Sequence, residues 1–488
     1  MKYSVIFLRI AGVVTQLIIS ILTFRTFRRF VSENAAFVIA VFYYNIIPKN
    51  SAVPDFSNML LWFSTLTFLC FLEFYMAEQK PDRHRSVFFL IAAGISTSLL
   101  VLSYPTCIVL VIPCCIGLFI LSASGNSFKN FLWYTGTCGI CALCWLTYFL
   151  SHMSFADFSY GLSQMLADGS HDVTLLEKIK NYFALAIDVL PYFLVALALS
   201  VLLWGILKLI LRKSYSLFFL LIITLCMEQF YIWYTLQKHP AYPGLLFFIF
   251  PMYGIYGYLK YRKSNISTKN TIYSALYWFV SIASWFLLLA AILASNTPIY
   301  ESLGYMATGM IVSLCYLEKD QHSLSSFRKL VLIFFLGVIF TRKGFLLYNI
   351  YGHDTIFVTR QKAEEGPMAG IYGRYSDGYE YNIRGRLLAE YIPQGSNVLI
   401  ASHKSIMYLQ EDYVICNYST ISTPTIDERL FRYWALYPDK VPEYIVWDKG
   451  SEGYIATNPE VNARLVENAE LLADDEGLLI YRLPANPY

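Results

Sequence analysis

The chain has 488 residues, of which 57% are hydrophobic, 17% aromatic and only 15% charged. Soluble proteins carry roughly 25% charged residues, so this composition excludes an ordinary soluble enzyme. The formal net charge of +3 hides an asymmetry, because residues 1–350 carry 25 Lys and Arg against 14 Asp and Glu, whereas residues 351–488 carry 12 against 20. We therefore expect two regions that meet different solvents and join near residue 350.

Apolar runs recur through residues 1–350, and a helix that crosses a bilayer needs about 20 mostly apolar residues. These runs predict a polytopic α-helical membrane protein. About twelve transmembrane helices are expected, near residues 4–24, 35–47, 59–76, 87–103, 106–122, 131–150, 186–211, 215–236, 244–259, 272–294, 304–317 and 326–348.

The polar breaks between the predicted helices alternate in basic content, with 17 Lys and Arg on one side and 6 on the other. The basic side is expected to face the cytoplasm, which leaves both termini outside the plasma membrane. Only Met1 to Tyr3 precede the first helix, and no signal peptide is recognisable. We expect either that an upstream segment is lacking or that the first helix inserts as a reverse signal anchor.

Residues 351–488 alternate short β-rich runs with helix-like stretches, as is typical of a water-soluble domain. Short β-rich runs occur at 397–401, 413–415, 444–447 and 478–483, and helix-like stretches lie at 381–391, 427–436 and 458–468. Strands that alternate with helices predict a small α/β domain. Its extracytoplasmic location follows from the parity of the helix count.

The cysteines and short motifs point to no cofactor or metal centre. Cys138, Cys141 and Cys144 have a metal-like spacing, but the residues between them continue an apolar helix, and packing between helices is the favoured explanation. The sequence contains no Rossmann glycine fingerprint, P-loop or paired-cysteine zinc motif. Nothing indicates a nucleic-acid partner, and membrane lipids are the expected surroundings.

The longest predicted external connection, residues 151–183, contains the first candidate site. It carries His152, Asp157, Asp168, His171 and Asp172. Carboxylates beside an imidazole could hold a divalent cation against a pyrophosphate or take a proton from an acceptor hydroxyl. The alternative is an interfacial helix with solvated charges.

Two basic groups at the predicted outer face are candidates for phosphate binding. Lys238, His239 and Tyr242 lie between two predicted helices, where the lysine could pair with a lipid phosphate or snorkel from a simple turn. Arg342 and Lys343 lie near the outer end of the last predicted helix, where either anchoring or phosphate binding would explain them.

Three further polar residues lie in or beside predicted helices. Arg9 is within the first predicted span and Glu228 within the eighth. Since an arginine in hydrocarbon normally faces the bundle interior with a partner, Arg9 is expected to do so. Asp55 precedes the third predicted helix, and capping of that helix is its favoured role.

The order of these features resembles the C-type superfamily of multi-pass bacterial membrane glycosyltransferases. The resemblance rests on Arg9 followed by the basic stretch 25–29, on the glycine-led helix that ends at Tyr104-Pro105-Thr106, on Asp168 to His171, and on Lys238 to Tyr242. In residues 351–488, the stretches 422–427, 433–434, 437–440 and 442–448 are similar to the C-terminal extension of one subgroup.

This resemblance implies transfer of a sugar from a polyprenyl-phosphate-linked donor to a glycan or lipid acceptor, at the outer face of the membrane, during cell-surface polysaccharide assembly. It implies that Lys238, His239 and Tyr242 contact the donor phosphate, and that Asp168 and His171 serve the acceptor or a divalent cation.

The chain departs from the family pattern in one respect. The first helix and the acidic loop that carries the family's catalytic acid would fall before Met1, so no position here matches that acid, and a truncated or inactive member is expected. The alternatives are a transporter or flippase of lipid-linked glycans, which should show two related halves, and a non-catalytic membrane partner protein.

Overall fold

A computed structural model describes most of the first half of the chain and most of the C-terminal region. The described residues are 4–45, 52–80, 83–122, 125–166, 174–210, 272–294, 361–373, 375–402, 405–418, 428–451 and 459–484, with the isolated positions 220, 224, 255 and 259. The chain divides into two compact units. We call Gly12–Thr341 the helical bundle, and Met1–Ala11 together with Arg342–Tyr488 the α/β unit.

The described helices of the N-terminal part follow the apolar runs of the sequence. They are α1 (Ser4–Phe27), α2 (Glu33–Asn45), α3 (Phe56–Glu78), α4 (Arg83–Ser103), α5 (Val111–Leu121), α6 (Ser127–Leu150), α7 (Phe155–Leu166), α8 (Leu175–Ile210), α9 (Ile272–Leu276) and α10 (Ala283–Ala294). A 3₁₀ turn, Pro105–Leu110, leads into α5, and a π-helical segment, Tyr277–Ile282, joins α9 to α10.

Five of the helices in the described ranges are long and apolar enough to cross a membrane, namely Ser4–Phe27, Phe56–Glu78, Arg83–Ser103, Phe193–Ile210 and Ile272–Ala290. Ser127–Leu150 and Phe155–Leu162 meet at 111° and give a sixth if the bent pair is one span. The chain is therefore an α-helical membrane protein.

The described residues do not show the predicted count of about twelve spans. The predicted span at 35–47 is α2, whose 13 residues rise only about 20 Å, against a hydrocarbon core of about 30 Å. The predicted span at 106–122 is a shorter apolar helix that starts as a 3₁₀ turn at Pro105. Apart from isolated positions, the predicted spans at 215–236, 244–259, 304–317 and 326–348 lie outside the described residues.

Helix α3 lies at the centre of the described bundle. Its side chains are buried around most of the helix circumference. Phe71 of α3 stacks on Phe279 of the π-helical segment with ring centroids 4.5 Å apart. Gly117 of α5 allows this arrangement, since a Cβ atom there would lie 2.7 Å from the Phe279 ring. The start of α3 is capped by Asp55, whose Oδ1 accepts a hydrogen bond from Asn58 N at 2.7 Å, so the predicted capping role is confirmed.

The α/β unit contains a two-stranded ribbon and a five-stranded sheet. The ribbon pairs β1 (Gln361–Lys362) with β2 (Tyr372–Gly373). The sheet has the order β4-β3-β5-β7-β6, with β3 (Asn397–Ala401), β4 (Val414–Ile415), β5 (Tyr444–Asp448), β6 (Glu470–Asp475) and β7 (Leu478–Arg482). Strands β4, β3 and β5 are parallel, and β7 and β6 are antiparallel to their neighbours.

Helices cover both faces of this sheet, because the side chains of β3 alternate between two apolar clusters. Val398 and Ile400 pack with Leu387 and Leu388 of α11 (Tyr375–Tyr391). On the other face, Leu399 and Ala401 pack with α12 (Glu428–Leu436) and α13 (Pro459–Leu465). The predicted strands and helices of this α/β layer are confirmed. Within the same unit, Val5 N in the first turn of α1 donates to Pro367 O at 3.2 Å.

Candidate functional site

Most residues of the predicted sites fall outside the described parts of the chain. They are Asp168, His171, Lys238, His239, Tyr242, Arg342 and Lys343. Arg9 is described, and its side chain is exposed on α1. The expected position of Arg9 toward the bundle interior stays a prediction.

The start of the long connection between α6 and α8 serves helix capping. Asp157 N donates to Ser154 Oγ at 3.1 Å, and Ser154 N donates to Asp157 Oδ2 at 3.3 Å, which is the reciprocal pattern of a capping box. For Asp157 this favours the interfacial-helix interpretation over a binding role.

The three closely spaced cysteines belong to a tightly packed pair of helices. Cys138 Sγ donates to Gly94 O at 3.6 Å, and a Cβ atom at Gly94 would lie 2.8 Å from Thr137. The backbone of α4 at Gly94 therefore lies in direct contact with side chains of α6. Among the described residues there is no group of three or more His, Cys, Asp or Glu that could hold a metal ion.

A buried carboxylate near the end of α3 joins two basic segments of the bundle. Glu73 Oε1 accepts from Thr26 Oγ1 at 3.0 Å, and Glu73 Oε2 contacts Arg29 Nη1 at 2.6 Å and Arg85 Nη2 at 3.5 Å. The carboxylate side chain is only 10% exposed, whereas the two arginines are 38% and 49% exposed. We call Thr26, Arg29, Glu73 and Arg85 the bundle-end cluster.

A second carboxylate, Glu78, lies about one turn further along α3. Its oxygens accept from Ser86 Oγ at 2.9 Å and from Asn130 Nδ2 at 3.2 Å. Arg83 Nη1 lies 3.8 Å from Glu78 and donates to Asn130 Oδ1 at 3.0 Å. Helices α3, α4 and α6 are thus joined by polar contacts at the same end of the bundle.

These contacts bring together three breaks that the charge pattern assigns to one side of the membrane. The break after α1, the break between α3 and α4, and the start of α6 beside Lys129 all reach Glu73 or Glu78. The shared end is basic, which agrees with the alternation of charge along the sequence.

Sequence reasoning missed Glu73 and Glu78 as organising residues. The available signal is Glu73 itself, which lies inside the predicted span at 59–76. A carboxylate in a transmembrane helix is costly unless it has partners, and the nearest basic breaks supply them.

In the α/β unit, a buried carboxylate lies at the edge where β3 and β5 end. Asp448 is 1% exposed. Its Oδ2 accepts from Ser402 Oγ at 2.7 Å, and its Oδ1 accepts from Gly450 N at 3.1 Å and from Arg384 Nη1 at 3.3 Å. We call Arg384, Ser402, Asp448 and Gly450 the sheet-edge cluster.

The sheet-edge cluster lies at the carboxyl ends of β3 and β5, where the two connections leave toward opposite sides of the sheet. The connection after β3 leads to β4 on one side, and the connection after β5 leads to β6 and β7 on the other. Open α/β sheets bind ligands outside the carboxyl ends of such strands. Sequence reasoning recognised the β5 run but missed that Asp448 ends a buried strand at this position.

The sheet-edge cluster holds its arginine in place. Arg384 Nε also donates to Glu476 O at 3.1 Å, so the guanidinium joins α11 to the β6–β7 turn and to the end of β5. These hydrogen bonds hold Arg384 against the carboxyl ends of β3 and β5.

Burial sets the protonation of two other groups in the α/β unit. Burial raises the pKa of the Tyr408 hydroxyl, which accepts from Ile400 N at 2.8 Å. Burial also raises the pKa of the Cys416 thiol to about 12. Both side chains are neutral at physiological pH and pack in the core of the sheet.

Comparison with known proteins found no match to a protein-family model, to a curated protein or to a solved structure.

Proposed function

We propose that this chain is a glycosyltransferase-like integral membrane protein that transfers a sugar from a polyprenyl-phosphate-linked donor to a glycan or lipid acceptor. The observation that carries the proposal is the joining, in one chain, of apolar helices long enough to cross a bilayer with a separate α/β unit. That order of features is the one in which the sequence resembles the C-type superfamily.

The proposed reaction is an inverting displacement at the anomeric carbon of the donor sugar. The acceptor hydroxyl oxygen forms the new bond to that carbon while the bond from carbon to phosphate oxygen breaks, and a carboxylate or imidazole takes the acceptor proton. Asp168 and His171 are the candidates for the proton. Cationic and hydrogen-bond-donating side chains stabilise the charge on the leaving phosphate, and the candidates are Lys238, His239, Tyr242, Arg342, Lys343 and Arg9.

We further propose a multi-pass topology in the plasma membrane, with the α/β unit outside. Two observations support this orientation. The bundle-end cluster joins breaks that are rich in Arg and Lys, as expected of a cytoplasmic end. The hydrogen bond between Val5 N and Pro367 O links the first turn of α1 to the α/β unit, in agreement with an external start for α1.

The orientation is tested with single cysteines and an impermeant maleimide in intact cells. Cysteine placed at the exposed Asp474 should be labelled, whereas cysteine placed at the exposed Lys129 should be labelled only after the cells are lysed. The reverse pattern would refute the orientation.

The activity is tested by sugar transfer in membranes that contain the full chain. The donor probes are polyprenyl-phosphate-linked glucose, galactose, mannose and arabinose. Lys238→Ala and His171→Ala should each lower transfer at unchanged protein level, because general acid–base and electrostatic groups commonly contribute about 100-fold or more. Lys362→Ala, which alters an exposed lysine of β1, is the matched control.

Two results would contradict the proposed function. Wild-type transfer rates in both variants would refute the residue assignments. Movement of the lipid-linked sugar across vesicles without any transfer product would favour a flippase instead.

A further inference from the structure

Helix α7 turns sharply away from the end of α6. The axes of Ser127–Leu150 and Phe155–Leu162 meet at 111°, or 21° more than a right angle. The 24 residues of α6 rise about 36 Å, slightly more than the hydrocarbon core of a bilayer, which is about 30 Å thick. With α6 as a span, α7 begins at the boundary between hydrocarbon and headgroups and runs nearly parallel to the membrane surface.

The end of α6 carries aromatic side chains that are typical of a membrane–water boundary. Trp145 packs on Phe149 with ring centroids 4.4 Å apart, and Tyr148 is 63% exposed. Tryptophan and tyrosine are enriched at this depth because their rings are apolar, while their N–H and O–H groups reach water. These residues therefore indicate that the bend between α6 and α7 lies at the interface.

One face of α7 is apolar, and its central ring points back along α6. Phe155, Phe158 and Leu162 lie on this face, because residues three and four apart lie above one another on a helix. The ring centroid of Phe158 lies 6.1 Å from that of Trp145 and 6.3 Å from that of Phe149. Since both partners precede the end of α6, the apolar face of α7 points toward the interior of the membrane.

Two side chains of this apolar face are exposed, whereas α7 carries no basic residue. Phe155 is 71% exposed and Leu162 is 45% exposed. Asp157 and Gly161 lie on the opposite face, and residues 151–166 contain no Lys or Arg. Attraction to anionic lipids requires basic side chains, so a helix of this composition binds a bilayer through the burial of apolar surface alone.

We propose that α7 lies in the headgroup layer with Phe155 and Leu162 inserted among the lipid acyl chains, and that lipid packing rather than lipid charge controls its insertion. Exposed apolar side chains gain free energy when they leave water, and the bilayer is the apolar medium at this depth. No cation on α7 draws it to an anionic surface, so insertion needs gaps between headgroups that admit a phenyl ring. The partner of this surface is a loosely packed bilayer of any net charge.

The test uses the full chain in nanodiscs of dioleoylphosphatidylcholine, with the photoreactive residue p-benzoylphenylalanine at one position at a time. Phe155→p-benzoylphenylalanine should crosslink to lipid several-fold more than Gly161→p-benzoylphenylalanine. Gly161 is the matched control, because it lies on the opposite face and nothing lies within 4 Å of a Cβ atom there. Equal crosslinking at the two positions would overturn the proposal.

Two changes of lipid separate packing from charge. The reference for lipid contact is the same probe at Ile140, which is 64% exposed on α6. A minor fraction of phosphatidylglycerol should leave the ratio of crosslinking at Phe155 to crosslinking at Ile140 unchanged. Cholesterol, which tightens the packing of the bilayer, should lower this ratio several-fold. A ratio that rises with phosphatidylglycerol, or that does not respond to cholesterol, would contradict the control by lipid packing.

Hydrogen exchange on the wild-type chain keeps the proposal testable if the probe disturbs the fold. A helix of 12 residues is marginally stable in water by itself, so slow exchange of its amides requires a cover. The amides of residues 158–162 should exchange slowly in dioleoylphosphatidylcholine and faster once cholesterol is added; rapid exchange in both bilayers would refute insertion. No lipid-linked donor enters these experiments, so their outcome is independent of the proposed sugar transfer.

Discussion

The indole of Trp62 on α3 donates to Oε1 of Gln16 on α1 at 2.5 Å. The same glutamine donates from Nε2 to Tyr43 O of α2 at 2.9 Å, and its side chain is buried. One amide thus satisfies a donor and an acceptor from two other helices, at a depth where unpaired polar groups are costly.

This pair gives the first prediction, a coupling between two positions. Gln16→Leu removes the acceptor of the Trp62 indole, and Trp62→Phe removes the donor to Gln16 Oε1, so each should lower the free energy of unfolding by roughly 1–3 kcal/mol. The double variant should lose less than the sum of the two losses, as contacting residues do. Tryptophan fluorescence during thermal unfolding in detergent measures the three values, and strict additivity would contradict the contact.

The second prediction concerns glycines at helix contacts. Gly117→Ala places a Cβ atom 2.7 Å from the Phe279 ring, and overpacking of this kind costs roughly 1–3 kcal/mol. Gly139→Ala is the matched control, because nothing lies within 4 Å of a Cβ atom there and alanine favours a helix. The thermal midpoint should fall for the first variant and stay or rise for the second. Equal midpoints would argue against close contact between α5 and the π-helical segment.

The third prediction tests the sheet-edge cluster. Asp448→Asn removes the buried negative charge that the half-buried Arg384 faces at 3.3 Å, and breaking an ion pair in a protein interior costs about 3 kcal/mol. Asp474→Asn, which loses an exposed ion pair with Lys449, should change stability by less than about 1 kcal/mol. Limited proteolysis of the full chain, followed at residues 361–484, distinguishes the two. Equal resistance in both variants would refute the structural importance of Asp448.

The fourth prediction follows from the buried thiol of Cys416. Its pKa is raised from 9.0 to about 12 in the folded chain, so the folded state disfavours the thiolate that an unfolded chain would form. The contribution of Cys416 to stability is therefore complete below about pH 9 and declines as pH rises from there toward 12.

Alkylation with iodoacetamide at pH 8 measures this directly. Peptide mapping should find Cys416 unmodified in the native protein and modified after denaturation, since the thiolate is the reactive form. A cysteine introduced at the exposed Asp474 should react in the native protein and serves as the control. Rapid native modification of Cys416 would contradict its burial.

The sequence patterns reveal the α/β unit more fully than the bundle. Runs such as 397–401 and 444–447 have the length and composition of buried strands, and the structure contains β3 and β5 there. Apolar runs also locate the long helices, but they do not distinguish a span from a short apolar helix such as α2, because both bury apolar side chains.

The polar contacts could not be predicted because they join distant residues. Glu73 meets Arg29 across 44 positions, and Arg384 meets Asp448 across 64. Charge patterning assigns Arg29 and Arg85 to one side of a membrane, yet only the packing of α1, α3 and α4 brings both to the same oxygen.

The hydrogen bond from Val5 N to Pro367 O has a consequence for biogenesis. Roughly 360 residues separate its two ends, and synthesis at about 5–20 residues per second takes roughly 20–70 s to cover that distance. The first turn of α1 is therefore synthesised long before its partner. During that interval the amide of Val5 needs water or a lipid headgroup as its acceptor, and the contact with Pro367 forms among the last steps of assembly.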